Sequence, residues 1–214
     1  MRATAIIPVK RFAAAKQRLA ATIEDERREA LVAAMLEDTL EAIGETRSIE
    51  RVIAVTDEPQ AAEVARAAGA EVLPDRRDAG HSEATLEGIA AAEDRGAGCV
   101  VLLPGDCPLL EPRELDRLLT GVPAAGYVGI VPDRHGTGTN ALVLAPPGAI
   151  RPAFGEGSCA RHVAAAREAG IPFAVEELPS LALDLDTPAD VVALTRELAD
   201  RPKRARRTAK ALGI

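Results

Sequence analysis

A chain of 214 residues suits one α/β domain with a substantial core. It is 47% hydrophobic but only 2% aromatic and has no Trp, so Ala, Val, Leu and Ile must build the core, and no aromatic platform is available for stacking single-stranded nucleic acid. A net charge of −7 argues against a polyanionic partner. No apolar stretch is long enough to span a bilayer, no leader is expected ahead of the first strand, and the three scattered cysteines lack zinc-site spacing. A cytoplasmic protein with neither a nucleic-acid nor a membrane partner is expected.

In chain order, Thr4-Ala5-Ile6-Ile7 reads as a buried strand closed by Pro8. The loop VKRFAAAKQRLA, residues 9–20, places Lys10, Arg11, Lys16 and Arg18 directly after that strand. Cations and backbone amides in such a loop can cradle phosphates, although a solvated basic loop has the same composition. It is not a P-loop, because Gly-Lys-Ser/Thr is absent. Residues 25–43 form a helix with Leu31, Met35, Leu36, Leu40 and Ile43 at helical spacing. A strand over 51–55, a helix over 60–68 and a strand over 71–73 follow, and this alternation predicts right-handed crossovers in a doubly wound, mostly parallel sheet flanked by helices. The polar loop 74–85 carries His81 and Ser82; Ser82 is expected to cap the helix over 84–92 and could help to read a nucleotide base.

The stretch VLLPGDCPLL, residues 101–110, concentrates the functional signal. Val100 to Leu103 form a run apolar on both faces, Pro104 and Gly105 stop it, and Asp106 stands just past its carboxyl end. Ligands of open α/β sheets bind at that end, so a carboxylate there points to a ligand and a metal, with a simple turn or helix cap as the alternative. A helix over 112–120 and strands over 127–131 and 141–144 follow, the last two joined by a Gly-, Thr- and Asn140-containing loop able to approach a ligand or simply to turn a hairpin. Phe154-Gly155-Glu156-Gly157-Ser158 precedes a helix over 160–169, with Ser158 as its expected cap and free amides offering an anion site. After a strand over 173–175, LALDLDTP puts Asp184 and Asp186 on one face if extended, before a helix over 189–198. Two such carboxylates repel unless a cation intervenes, and Mg2+ held by a few carboxylates and substrate phosphates is the expected solution. Residues 1–200 are expected to form the domain, with 201–214 a solvated basic tail.

The stretches IIPVKRFAAAKQRLA, LLPGDCPLL, GTGTNAL, FGEGS and LDLDTP, in this order, resemble the CofC/FbiD guanylyltransferases of deazaflavin coenzyme F-420 biosynthesis. The likeness covers nearly the whole chain; GHSEATLEG, at residues 80–88, departs from the family pattern. The resemblance implies a single-domain, MobA-like nucleotidyltransferase fold, Rossmann-like and of the GT-A type. It implies transfer of GMP from GTP to a small three-carbon phosphoacid: phosphoenolpyruvate first, then 2-phospho-L-lactate or 3-phosphoglycerate. It further implies Asp106, Asp184 and Asp186 as ligands of Mg2+, Lys10, Lys16 and Arg18 on the GTP phosphates with Ser82 toward the base, and Thr139, Gly155 and Ser158 around the acceptor. Asp106, Lys10 and Lys16 would be the catalytic groups. Other readings are a molybdenum-cofactor-type or sugar-phosphate nucleotidyltransferase, a GT-A glycosyltransferase, which would more often show Asp-X-Asp where this chain has Asp106-Cys107-Pro108, and a non-catalytic nucleotide-binding module.

Overall fold

Side chains in an extended segment alternate between faces, and the first strand shows the consequence. In β1 (Ala3–Pro8) Ala3, Ala5 and Ile7 enter one apolar cluster while Ile6 enters another on the opposite face. The same division splits Val101 from Val100 and Leu102 in β4 (Val100–Leu102), so the central strands are buried on both sides. The computed structural model describes residues 2–20, 22–75, 81–123, 126–200 and 204–214. Among these, β1 and β4 join β2 (Ile49–Val55), β3 (Glu71–Leu73), β5 (Tyr127–Pro132), β6 (Thr139–Ala145) and β7 (Phe173–Val175) in one sheet ordered β3-β2-β1-β4-β6-β5-β7.

Strands β1 to β4 pair in parallel, as do β5 and β7. Strand β6 runs antiparallel to both β4 and β5, so the sheet is mixed rather than wholly parallel, and 133–138 is a hairpin loop. This orientation matters for function. Leu102 pairs with Leu142, so the beginning of β6, at Thr139, lies at the same sheet edge as the end of β4. The carboxyl ends of β1 and β4 and the hairpin loop therefore face one ligand-binding edge.

One face of the sheet is covered by α1 (Asp25–Gly44), α2 (Pro59–Ala67), α4 (Pro112–Thr120) and α6 (Pro188–Asp200), which bring Leu31, Ala61, Leu115 and Leu194 to the larger cluster. The other is covered by α3 (His81–Asp94) and α5 (Ser158–Glu168), through residues such as Ile89 and Ala166. Helix α3 approaches β1 closely: a Cβ at Gly88 would lie 2.4 Å from Ile6 Cγ2. An aromatic-poor core suits this spacing, because small side chains let helix and sheet backbones come together.

The C-terminal segment is not a solvated tail. It forms α7 (Arg206–Leu212), packed on α1. The buried Asp38 carboxylate accepts from the Thr208 amide at 2.8 Å and the Thr208 hydroxyl at 2.7 Å, and Arg207 pairs with Glu37 at 2.9 Å and Asp38 at 3.2 Å. Among the described residues no helix is long and apolar enough to cross a membrane.

Candidate active site

The basic loop after β1 is built by two short 3-10 turns, Phe12–Ala14 and Gln17–Leu19, anchored by the buried Phe12 and Leu19. The Phe12 amide donates to Glu58 at 3.1 Å, and the buried Arg28 of α1 donates to the Ala15 carbonyl at 3.2 Å. Between the turns Lys16 adopts a left-handed backbone, φ 55°, unusual for a side-chain-bearing residue. That conformation aims its side chain inward, where only 6% of it is exposed.

Lys16 Nζ donates to both Asp106 and Asp186. The sequence reading put this ammonium on phosphates; here it bridges two of the predicted metal ligands. Burial works against its charge, but the Asp106 and Asp186 carboxylates outweigh burial and hold its pKa above the ordinary lysine value. Asp184 belongs to the same centre. Its carboxyl is pushed up to about 6, first by burial and then by the charges of Asp106 and Asp186. Lys10 lines the same cavity of about 280 Å³, together with Pro8, Val9, Gly105, Asp106 and Asp186. Arg18 is exposed on the second 3-10 turn.

Residues 182–187 pair with no strand, yet buried Leu183 and Leu185 alternate with half-buried Asp184 and Asp186, so the two aspartates do share a face. Several contacts hold the segment. Asn140 donates to the Leu181 carbonyl at 2.7 Å, a structural duty rather than one toward ligand, and the Arg134 amide donates to Ala182 at 3.0 Å. Asp186 is not the helix cap. That duty falls to Thr187 and Asp190: the buried Asp190 carboxylate accepts from the amides of Asp186 (3.0 Å) and Thr187 (2.6 Å), the Asp190 amide donates back to the Thr187 hydroxyl at 3.4 Å, and Arg134 pairs with Asp190 at 2.6 Å.

The fit of a divalent cation follows from the donor set. Three carboxylates face one ammonium, which leaves surplus negative charge, and Lys16 already stands as a cation between two of them. Among the described residues no group of three His, Cys, Asp or Glu side chains is arranged to hold a metal ion. Magnesium does not demand one, since it is usually held by one or two carboxylates plus phosphates and water. The residues therefore fit the ion.

A second cluster gathers at the start of β6. Ser158 does not cap α5: Gly157, φ 69°, occupies the cap position, and the buried Ser158 hydroxyl donates to Thr139 Oγ1 at 3.1 Å. The helix amides are also less free than the sequence suggested, because Ser158 donates to the Gly155 carbonyl at 3.0 Å and Cys159 to the Thr137 carbonyl at 3.1 Å. Gly155 sits at φ 102° in a loop clasped by Arg161, which donates to the carbonyls of Ala153 and Phe154 at 3.0 and 3.2 Å. Thus Thr139, Gly155 and Ser158 are brought together. Ser82, one residue into α3 rather than capping it, accepts from the Phe154 amide at 3.3 Å and so braces this loop. The base-side segment 76–80 lies outside the described residues.

Sequence reasoning missed His162. It is fully buried, with Nδ1 3.0 Å from Thr139 Oγ1 and Nε2 accepting from the Ala153 amide at 2.9 Å. Helical spacing carried the signal: Ser158, His162 and Ala166 recur every fourth residue on the buried face of α5.

The geometry can be set beside known proteins. The sequence model of a family described as guanylyl transferase CofC like matches residues 3–213. A phosphoenolpyruvate guanylyltransferase from Conexibacter woesei is 48% identical over 92% of this chain and 89% of its own. A 3-phospho-D-glycerate guanylyltransferase from Phenylobacterium zucineum is 41% identical over 91% and 90%. Among solved structures, a nucleotidyl transferase from Methanothermobacter superposes with a TM-score of 0.62 at 19% identity, covering 94% of this chain and 99% of that one. The 4-diphosphocytidyl-2C-methyl-D-erythritol synthase of Anaerococcus prevotii gives 0.66 at 11% identity, covering 92% and 96%. These structural likenesses establish the fold, and the sequence matches establish the kinship: the chain belongs to the CofC-like guanylyltransferase family.

Proposed function

We propose that this protein transfers GMP from GTP to a small three-carbon phosphoacid, with phosphoenolpyruvate the first choice of acceptor. The observation that carries the reading is the Lys16-bridged aspartate centre at the ends of β1 and β4, with the Thr139–Ser158 cluster at the same sheet edge. A relative at 48% identity is named for phosphoenolpyruvate, and one at 41% is named for 3-phospho-D-glycerate, which keeps that acid as the second acceptor to test. 2-Phospho-L-lactate is the third. Family membership supports a place in coenzyme F-420 biosynthesis.

The chemistry needs no general base. An acceptor phosphate oxygen is already ionised near neutral pH. It attacks the α-phosphorus of GTP, forming a new P–O bond as the bond to the bridging oxygen breaks and pyrophosphate leaves with that electron pair. Catalysis is then positioning and charge neutralisation. Asp106, Asp184 and Asp186 would hold Mg2+, which when bound supplies charge neutralisation to the reacting phosphates. Lys10, at the cavity wall, would receive the leaving pyrophosphate, and Lys16 would join it once its carboxylate partners are otherwise neutralised. Thr139, Ser158 and the Gly155 loop would receive the acceptor.

A pyrophosphate-release assay with GTP, Mg2+ and each of the three acids tests the reading. Turnover with at least one acid is expected, and Asp106→Asn should reduce it roughly 100- to 1,000-fold while leaving the circular-dichroism spectrum unchanged. Transfer to a sugar phosphate alone, or near-normal turnover by Asp106→Asn, would overturn it.

A further inference from the structure

The hydrogen-bond donors around Thr139 are more constrained than a hydroxyl cluster requires. A backbone amide can only donate, so the bond from the Ala153 amide to His162 Nε2 makes that nitrogen the lone-pair side of the ring. The neutral imidazole then carries its hydrogen on Nδ1, 3.0 Å from Thr139 Oγ1. Burial, and next the neighbouring Arg161 charge, push the His162 pKa down to about 4, which keeps the ring neutral. Ser158 Oγ donates to the same oxygen at 3.1 Å. A hydroxyl oxygen has two lone pairs, and both are now taken. The Thr139 hydrogen is left to point away from His162 and Ser158, and Thr139 itself is only half buried, on the ligand-binding edge.

We infer that His162 is a positioning residue for the acceptor subsite: through its Nδ1–H bond it commits the Thr139 hydroxyl to donate to an anionic group of the phosphoacid, and through Nε2 it holds the loop that presents Gly155. The inference rests on the acceptor reading above and deepens it. The cluster is a one-way donor. It favours an anionic oxygen, a carboxylate or a phosphate, and disfavours a neutral hydroxyl that must donate in turn. Phe154 packs edge-on to the imidazole with centroids 5.4 Å apart.

Two substitutions divide the roles. Asn at this position can present a donor near the place of Nδ1, whereas Gln can present an acceptor near the place of Nε2. With phosphoenolpyruvate as the probe, His162→Gln should raise the acceptor KM roughly ten- to a hundredfold, the loss of a hydrogen bond to a charged group, with the GTP KM within about twofold of wild type. His162→Asn should recover most of that loss. On a Thr139→Val background, His162→Gln should add nothing further. In the wild-type protein, nitrogen-15 NMR should find His162 neutral with its hydrogen on Nδ1 between pH 6 and 8, whatever the activity. An Nε2–H tautomer, an unmoved acceptor KM in His162→Gln, equal increases in both KM values, or additivity with Thr139→Val would each overturn the inference. Wild-type protein that transfers GMP to none of the three acids would overturn the function reading itself, whereas normal wild-type turnover with an unmoved His162→Gln KM overturns only this inference.

Discussion

Lys16 shows how the partners of a cation can differ from those its place in the chain suggests. Its position after β1 marked it as a cation of the site, but its left-handed backbone and buried stem turn the ammonium toward Asp106 and Asp186. Removing one partner of a buried charge pair is costly because the others are left uncompensated. Lys16→Met should therefore lower the melting temperature in EDTA, leaving Asp106, Asp184 and Asp186 crowded without a counter-charge. Added Mg2+ should restore much of the loss, and more than it raises the wild-type melting temperature, since the wild-type protein brings its own cation. Differential scanning fluorimetry with and without Mg2+ measures both effects. An EDTA melting temperature equal to wild type would remove Lys16 as the counter-ion of the centre. The partnership could not be read from the chain, because it joins residues 90 and 170 positions apart across three separate loops. Each aspartate alone was legible, Asp106 from the strand it follows and Asp184 and Asp186 from their period of two.

At the scale of elements, legibility followed the local breakers. Strand β3, helix α4 and strand β7 begin and end where Gly, Pro and the apolar runs said they would. Errors arose where tertiary contacts decide. The end of the chain is rich in Arg and Lys and reads as solvated, yet α7 docks because Asp38, most of a chain away, offers a buried carboxylate to Thr208. Ser158 reads as a helix cap, yet it donates to Thr139 across the site, and a glycine takes the cap. The α7 interface carries its own prediction. Asp38→Ala strands the Thr208 amide and hydroxyl, both at a residue with no exposure, and should cost about 2–4 kcal/mol. Arg207→Ala should cost less than 1 kcal/mol, because that guanidinium is half exposed and its ion pairs are solvent-screened. Urea midpoints of the two variants test the ranking; an Asp38→Ala midpoint at or above that of Arg207→Ala would mean that α7 is held by apolar contact alone.

At the scale of the whole molecule, stability is coupled to pH through the buried His162 beside Thr139. An unfolded chain leaves His162 with an ordinary pKa near 6.5, while the folded protein holds it near 4, by burial first and the Arg161 charge second. The ring faces the Thr139 hydroxyl, the Ala153 amide and the Phe154 ring, with Arg161 the neighbouring charge, so no carboxylate in this set of contacts welcomes a proton. Between the two pKa values the unfolded state binds the proton and the folded state does not. Stability from this group is thus fully present above about pH 6.5 and is lost as pH falls through the folded pKa near 4. A difference of this size corresponds to about 3 kcal/mol, a substantial share of a domain's total stability. Asp184, with its carboxyl raised to about 6, works the other way over the same interval, so the test is the difference between proteins: between pH 6.5 and 4 the free energy of unfolding of His162→Asn, which has no ring to protonate, should change less unfavourably than that of the wild type, even if the variant is less stable at pH 7. Urea titrations of both proteins at pH 7, 5.5 and 4.5 give the slopes directly. Parallel slopes would show that His162 does not carry the acid sensitivity of this fold. A change less unfavourable in the variant than in the wild type would tie the neutral imidazole, and with it the donor arrangement at Thr139, to the stability of the native state.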